Sequence, residues 1–231
     1  MTIKKLALFD IDGTILPKGY GIFFVAEHLA KENLIAPEAP LLMAQARTDY
    51  KNKKLEYENY SKQVQIEFAK GVKGFPKDTV EKRSKEIVLE LEKVFYQFAL
   101  NLIPELNKTH DVYFITANID FYAQAFRDFY KAKGYKATSL EVDDKGFYTG
   151  EFAFSLSHAE HKQEAIKKLL KDYPHEGSFA FGDADADRFM LDLVDHPICI
   201  DPTDNLAKEA KEKNWVITDP EHAEEEIRKL L

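Results

Sequence analysis

The sequence predicts an α/β fold in which helices flank a parallel sheet and an all-helical segment is inserted between the first two strands. Three observations carry this. Short apolar runs end on polar or small residues: Leu6 to Phe9 before Asp10, Val112 to Ile115 before Thr116, and Phe179 to Phe181 before Gly182 and Asp183. Runs of this length and boundary are buried strands of a parallel sheet. Helical periodicity separates the later runs: Tyr122, Ala125, Phe126, Phe129 and Tyr130 share one face, as do Ile166, Leu169, Leu170 and Tyr173. The third observation is the stretch 17–95, which shows helical patterns rich in Lys and Glu and is too long for a loop of a compact domain. The reading is therefore a core of residues 1–16 and 96–231 with a helical module of residues 17–95 set into it.

The elements follow in order. After the first strand, Ile22, Val25, Ala26 and Leu29 mark a helix, and Tyr57, Tyr60 and Val64 mark a face within the stretch 50–70. Residues 71–76 are the clearest break in the module. Ile87, Leu91, Val94, Phe95 and Phe98 mark another helix that can run into the core, and Pro104 is awkward for a helix leading into the second strand, so the boundary there is weak. Beyond the second strand and its helix, residues 137–142 and 147–154 are β-prone and flank the turn signal Lys145-Gly146. The tail predicts strands at 198–200 and 215–217, a helix near 205–213 and a charged helix from Pro220.

The 231-residue chain carries 40 acidic against 32 basic residues, a formal net charge of −8, which argues against a nucleic-acid binder. With 45% hydrophobic and 13% aromatic residues it can bury a sizeable core. Its single cysteine, Cys199, excludes an internal disulfide framework or a Cys-rich zinc site and reads as a buried structural thiol. No apolar run approaches the roughly 18 residues of a membrane span, and an acid at position 10 interrupts any signal-peptide core. The expectation is a cytoplasmic protein in a reducing compartment, away from membranes.

Open α/β sheets place ligands at the carboxyl ends of their strands, where Asp10, Thr116 and Asp183 stand. Asp10-Ile11-Asp12-Gly13-Thr14 sets two carboxylates at a buried strand end, which is costly unless something compensates them. A hard divalent cation such as magnesium would, and Gly13 would allow the turn that aims both side chains at one point. Asp183-Ala184-Asp185-Ala186-Asp187 is a second acidic cluster. It fails as a calcium loop because Arg188 and Val194 stand where Gly and Glu are needed. Asp183 as a metal ligand, with Asp187 holding a metal-bound water, fits better, against the alternative of a helix N-cap run. Thr116, followed by Ala117, can bind a phosphoryl oxygen together with backbone N–H groups, and Lys162 can neutralise it; each also has a plain reading, as N-cap and as solvated lysine.

Taken in order, these residues resemble the haloacid dehalogenase superfamily of phosphohydrolases: Asp-x-Asp-Gly-Thr at 10–14, Thr116, Lys162 and Gly-Asp-x-x-x-Asp at 182–187. More closely the chain is similar to the phosphoserine-phosphatase-like branch (subfamily IB type), also through residues 140–150 and 205–215. The resemblance implies a Rossmann-like core with a helical cap. It implies that Asp10 attacks a phosphate monoester and becomes an aspartyl phosphate, while Asp12 protonates the leaving alcohol and then activates water. Mg²⁺ would bind the side chains of Asp10 and Asp183 and the backbone carbonyl of Asp12, and Thr116, Ala117 and Lys162 would hold the phosphoryl group of a small phosphorylated metabolite. A monomer or weak homodimer is expected.

The pattern departs from the branch in its substrate residues. Gly19 stands near the position of the Glu that engages the amine of phosphoserine, so phosphoserine itself is not expected, and Arg47, a loose counterpart of the cap arginine, reads as solvated. In the last motif Asp185-Ala186 replaces the usual small residue and Asn. Three alternatives stand beside hydrolysis: transfer to a sugar acceptor on the same core, an inactive binding protein, and a phospho-accepting signalling domain. The last needs the acid pair to precede a separate acceptor aspartate, which is not the order here.

Overall fold

The computed structural model describes residues 4–156 and 159–231. The chain opens with strand β1, Lys5–Phe9, and passes into four helices: α1 (Gly21–Lys31), α2 (Ala39–Lys51), α3 (Tyr57–Gly71) and α4 (Lys77–Leu89). A 3-10 turn, Glu90–Val94, leads to α5 (Gln97–Thr109), β2 (His110–Ile119) and α6 (Asp120–Tyr130). Strands β3 (Gly134–Val142) and β4 (Tyr148–Phe154) follow, then α7 (Ala159–Leu170), β5 (Phe179–Gly182), a 3-10 turn at Asp185–Asp187 and the short α8 (Arg188–Leu191). Strand β6 (His196–Ile200), α9 (Asp204–Lys213), β7 (Val216–Thr218) and α10 (Ala223–Arg228) close the chain.

The seven strands form one sheet in the order β4-β3-β2-β1-β5-β6-β7. All pairings are parallel except the antiparallel β3–β4 hairpin, whose turn is the expected Lys145-Gly146. Strand β1 lies at the centre, and the chain builds outward from it first through β2 and then through β5. Its carboxyl end is therefore the topological switch point where α/β sheets bind ligands. Leu6, Ala7, Leu8 and Phe9 are wholly buried because both faces of the strand are covered by helices. Phe9 stacks on Phe181 of β5 at 4.0 Å, and Phe114 of β2 meets Phe126 of α6 edge-on at 6.1 Å. Phe9 also lies 6.3 Å from Phe114, so these rings tie β1, β2 and β5 together beneath the site.

The insertion is helical as expected: among the described residues of 17–95 the only β contact is an isolated bridge from Pro76 to Phe147. Its α3 reaches the core through Phe68, whose ring lies 5.8 Å from Phe121 of α6. Two expectations fail here. The continuous helix through Ile87 and Phe98 is three pieces, because Phe95 is extended (ψ 141°) so that its ring can pack on Phe126 at 5.0 Å. Pro104 sits inside α5 rather than ending it. The buried face of Phe98, Leu102, Ile103 and Leu106 outweighs the roughly 3 kcal/mol that an interior proline costs.

Candidate active site

The site starts where β1 ends. The Asp10 N–H donates to Phe181 O at 2.9 Å, which continues the β1–β5 ladder by one residue and places Asp10 at the carboxyl end of the central strand. The chain then turns: the N–H groups of Thr14 and Ile15 both donate to Ile11 O (3.2 and 2.8 Å), and that of Gly13 to Leu16 O (2.8 Å). Gly13 has φ +95°, and a Cβ there would collide with the Asp183 carboxylate. Glycine is thus required twice over, for the dihedral and for the approach of the second acidic loop.

That loop follows β5. Asp10, Asp183 and Asp187 each offer an oxygen within 4.8 Å of the others. Asp10 is 9% exposed, Asp183 3% and Asp187 2%. Burial, aggravated by the charges of Asp187 and Asp183, pushes the Asp10 carboxyl well above its usual range even against the pull of Lys162. Burial and the Asp187 charge likewise push Asp183 up to about 7, although Lys18 opposes them from 3.0 Å. This excess of buried negative charge on an oxygen-only donor set suits a hard divalent cation.

Asp187 is tied differently. Its Oδ2 accepts from the backbone N–H groups of Asp183 and Ala184 (both 3.1 Å), and its Oδ1 accepts from Lys162 Nζ at 2.8 Å. Lys162, in the first turn of α7, is 5% exposed, so the plain reading as a solvated lysine fails. Burial disfavours its charge, but Asp187, Asp10 and Asp183 outweigh that and hold it more firmly protonated than usual. Gly182 permits this packing, since a Cβ there would press on Asp187.

Asp12 turns away from the acidic cluster. Its Oδ2 accepts from Asn118 Nδ2 (2.8 Å), its Oδ1 from the Tyr122 hydroxyl (3.1 Å), and the backbone N–H of Gly21 also donates to it. Burial raises its pKa while these three donors oppose the rise. The two carboxylates of the first motif thus have separate environments, one among charges and one among neutral donors.

Thr116 lies inside β2, which runs to Ile119, and not just past its end; the β2–β3 register shifts between Ile115 and Ile119. Its Oγ1 accepts the N–H of Asn118 (3.1 Å), and Ala117 O accepts from Thr138 Oγ1 (2.7 Å), which pins the segment. Arg47 is not solvated as expected: half-buried, it donates to Gly19 O at 2.7 Å and lies 3.5 Å over the Phe23 ring. Sequence reasoning missed Asn118, Tyr122 and Lys18. Only Asn118 left a signal, two residues from Thr116; Tyr122 reads as a core position of an amphipathic helix. Cys199 is buried as expected, and burial pushes its thiol up to about 12.

A probable phosphatase of Mycobacterium tuberculosis is 39% identical over 83 residues, 35% of this chain and 28% of that protein, so the chain spans well under half of that relative's length. A histidinol-phosphatase of Neisseria meningitidis is 24% identical over 233 residues, 93% of this chain and 98% of that one. Among solved structures, a substrate-bound phosphoserine phosphatase superposes with a TM-score of 0.64 at 21% identity, over 94% of this chain and 93% of that one, which shows a shared fold. No helix among the described residues is long and apolar enough to cross a membrane. The sequence profile of the haloacid dehalogenase-like hydrolases matches residues 7–192, from the middle of β1 past α8, and the chain belongs to that family.

Proposed function

We propose that the chain is a magnesium-dependent phosphatase of small phosphate monoesters. The observation that carries the reading is the convergence of Asp10, Asp183 and Asp187 within 4.8 Å, with Lys162 buried beside them. Asp10 attacks phosphorus, and the P–O bond to the alcohol breaks as Asp12 delivers a proton to the departing oxygen. This leaves an aspartyl phosphate on Asp10. Asp12, now ionised, takes a proton from water, whose oxygen attacks phosphorus and frees Asp10 and inorganic phosphate.

The separate environments of the two aspartates suit these roles. Asp12, facing three neutral donors, is placed to change protonation state, and its charge is felt less at Asp10 and Asp183 than that of Asp187. Lys162 and Thr116, with the backbone at Ala117, hold the oxygens of the transferring group, and Asp187 aims Lys162. Magnesium would be held by the side chains of Asp10 and Asp183 and the carbonyl of Asp12, with Asp187 placed to take a bound water; it supplies positive charge against the repulsion between Asp10 and an anionic phosphate. Helices α1–α4, residues 17–95, act as a cap that excludes water and selects the alcohol. The relatives named as phosphatases support the reaction class.

Phosphate release from an aryl phosphate tests the reading. Activity is expected with magnesium, and its loss with chelator and in Asp10→Asn. Turnover that is indifferent to chelator, or unchanged in Asp10→Asn, would refute it.

A further inference from the structure

Three tyrosines of the insertion form a cluster that the chemistry above does not use. Tyr50 of α2 stacks on Tyr60 of α3 with centroids 4.9 Å apart and planes 10° from parallel. Tyr57, at the start of α3, stands edge-on to both, at 5.9 Å and 6.1 Å. Rings that only stitched α2 to α3 would be buried in that seam, whereas Tyr50 and Tyr57 remain 36% and 43% exposed. The cluster borders the site: Arg47, three residues before Tyr50 on α2, donates to Gly19 O, and a Cβ at Gly21, two residues further on, would strike Asp12 Oδ1. Tyr57 is strongly desolvated and feels the charges of Asp183, Asp10, Asp187 and Asp12, which together hold its hydroxyl well above the usual phenol range. Tyr60 feels the Asp12 charge as well.

The surroundings narrow what can pack against these rings. Arg47 donates to Gly19 O and lies over the Phe23 ring, while its Nε is buried without a hydrogen-bond partner among the described residues. Lys18 is engaged by Asp183 and by Asp201 O at 3.0 Å. At Gly19 itself there is no side chain to meet a substrate amine. The open surface beside them is aromatic, which favours a flat ring over an aliphatic chain.

On the phosphatase reading above, we propose that Tyr50, Tyr57 and Tyr60 bind the alcohol part of the substrate and that this alcohol carries an aromatic or heteroaromatic ring. The ring packs against Tyr57, while the phosphate end lies among Lys162, Thr116 and Asp10. The cluster sets specificity through ground-state and transition-state binding alike, so it acts chiefly on KM.

The test compares kcat/KM for 2-phenylethyl phosphate, n-butyl phosphate, phosphoserine and phosphocholine, with magnesium, in the wild type and in Tyr57→Leu, Tyr50→Leu and Tyr57→Phe. The wild type is expected to favour the ring ester over the butyl ester about tenfold. Tyr57→Leu and Tyr50→Leu should each cut that ratio several-fold, mainly through KM, and Tyr57→Phe should keep it. Equal rates on ring and butyl esters, a preference for phosphoserine or phosphocholine, or an undiminished ring preference in both leucine variants would overturn the proposal while leaving the phosphatase reading intact. Failure of every ester to turn over would overturn the phosphatase reading, and this inference with it.

Discussion

Replacing Asp183 with Asn should stabilise the metal-free protein at alkaline pH. The native Asp183 carboxyl is pushed from an ordinary 3.8 to about 7, first by burial and next by the Asp187 charge. Between those values the folded chain holds a proton that the unfolded chain has released, so stability falls as pH rises through the window, and the loss is complete above about pH 7. A gap of about three pH units, at about 1.4 kcal/mol each, sets a ceiling of about 4 kcal/mol. Asp10 and Asp183 share this strain, and the amide forfeits the ion pair with Lys18, whose side chain is 46% exposed and contributes at most about 1 kcal/mol. The expected gain is therefore about 2 kcal/mol at pH 8, or about 4–8 °C in Tm for a chain of this size. At pH 5 it should shrink to roughly a third, because native Asp183 is then protonated anyway. Thermal unfolding with chelator at both pH values measures this. Saturating magnesium should erase the advantage, since the ion stabilises only the wild-type cluster. No gain at pH 8, or an equal gain at pH 5 and pH 8, would refute the argument that buried like charge strains this loop.

Two further outcomes follow from the hydrogen bonds. Tyr122→Phe removes one of three donors to Asp12 and should slow alkyl esters about tenfold, but p-nitrophenyl phosphate less, since that leaving group needs little proton transfer; equal slowing of both would refute an effect through Asp12. Lys162→Met leaves Asp187 facing the cluster without its cation, and should cost about 3–5 kcal/mol of metal-free stability with a rate loss of at least about a hundredfold; retention of either would show that the buried pair is not the anchor assigned here.

Most of the fold was legible because burial dictates it. A central parallel strand is covered on both faces, so Leu6 to Phe9 and Phe179 to Phe181 stand out as unbroken apolar runs. The break at Phe95 was not, because its cause is a distant ring: Phe126 draws Phe95 out of the helical path that local periodicity favours. Pro104 misled for the opposite reason, since local propensity yields to a buried face.

The site divides the same way. Sequence alone named the groups on offer: two aspartates ahead of Gly13, Thr116 at a strand end, Lys162 and a second acidic cluster. Only the tertiary structure decided how they share the work. It turned Asp12 toward Asn118 and Tyr122, paired Lys162 with Asp187, and drew Arg47 onto Gly19 and Phe23. The partners in the first two of these contacts lie 106, 110 and 25 residues apart along the chain. A one-dimensional pattern encodes which groups are affordable inside a core, whereas protonation and direction depend on which distant neighbour the fold brings within hydrogen-bond reach.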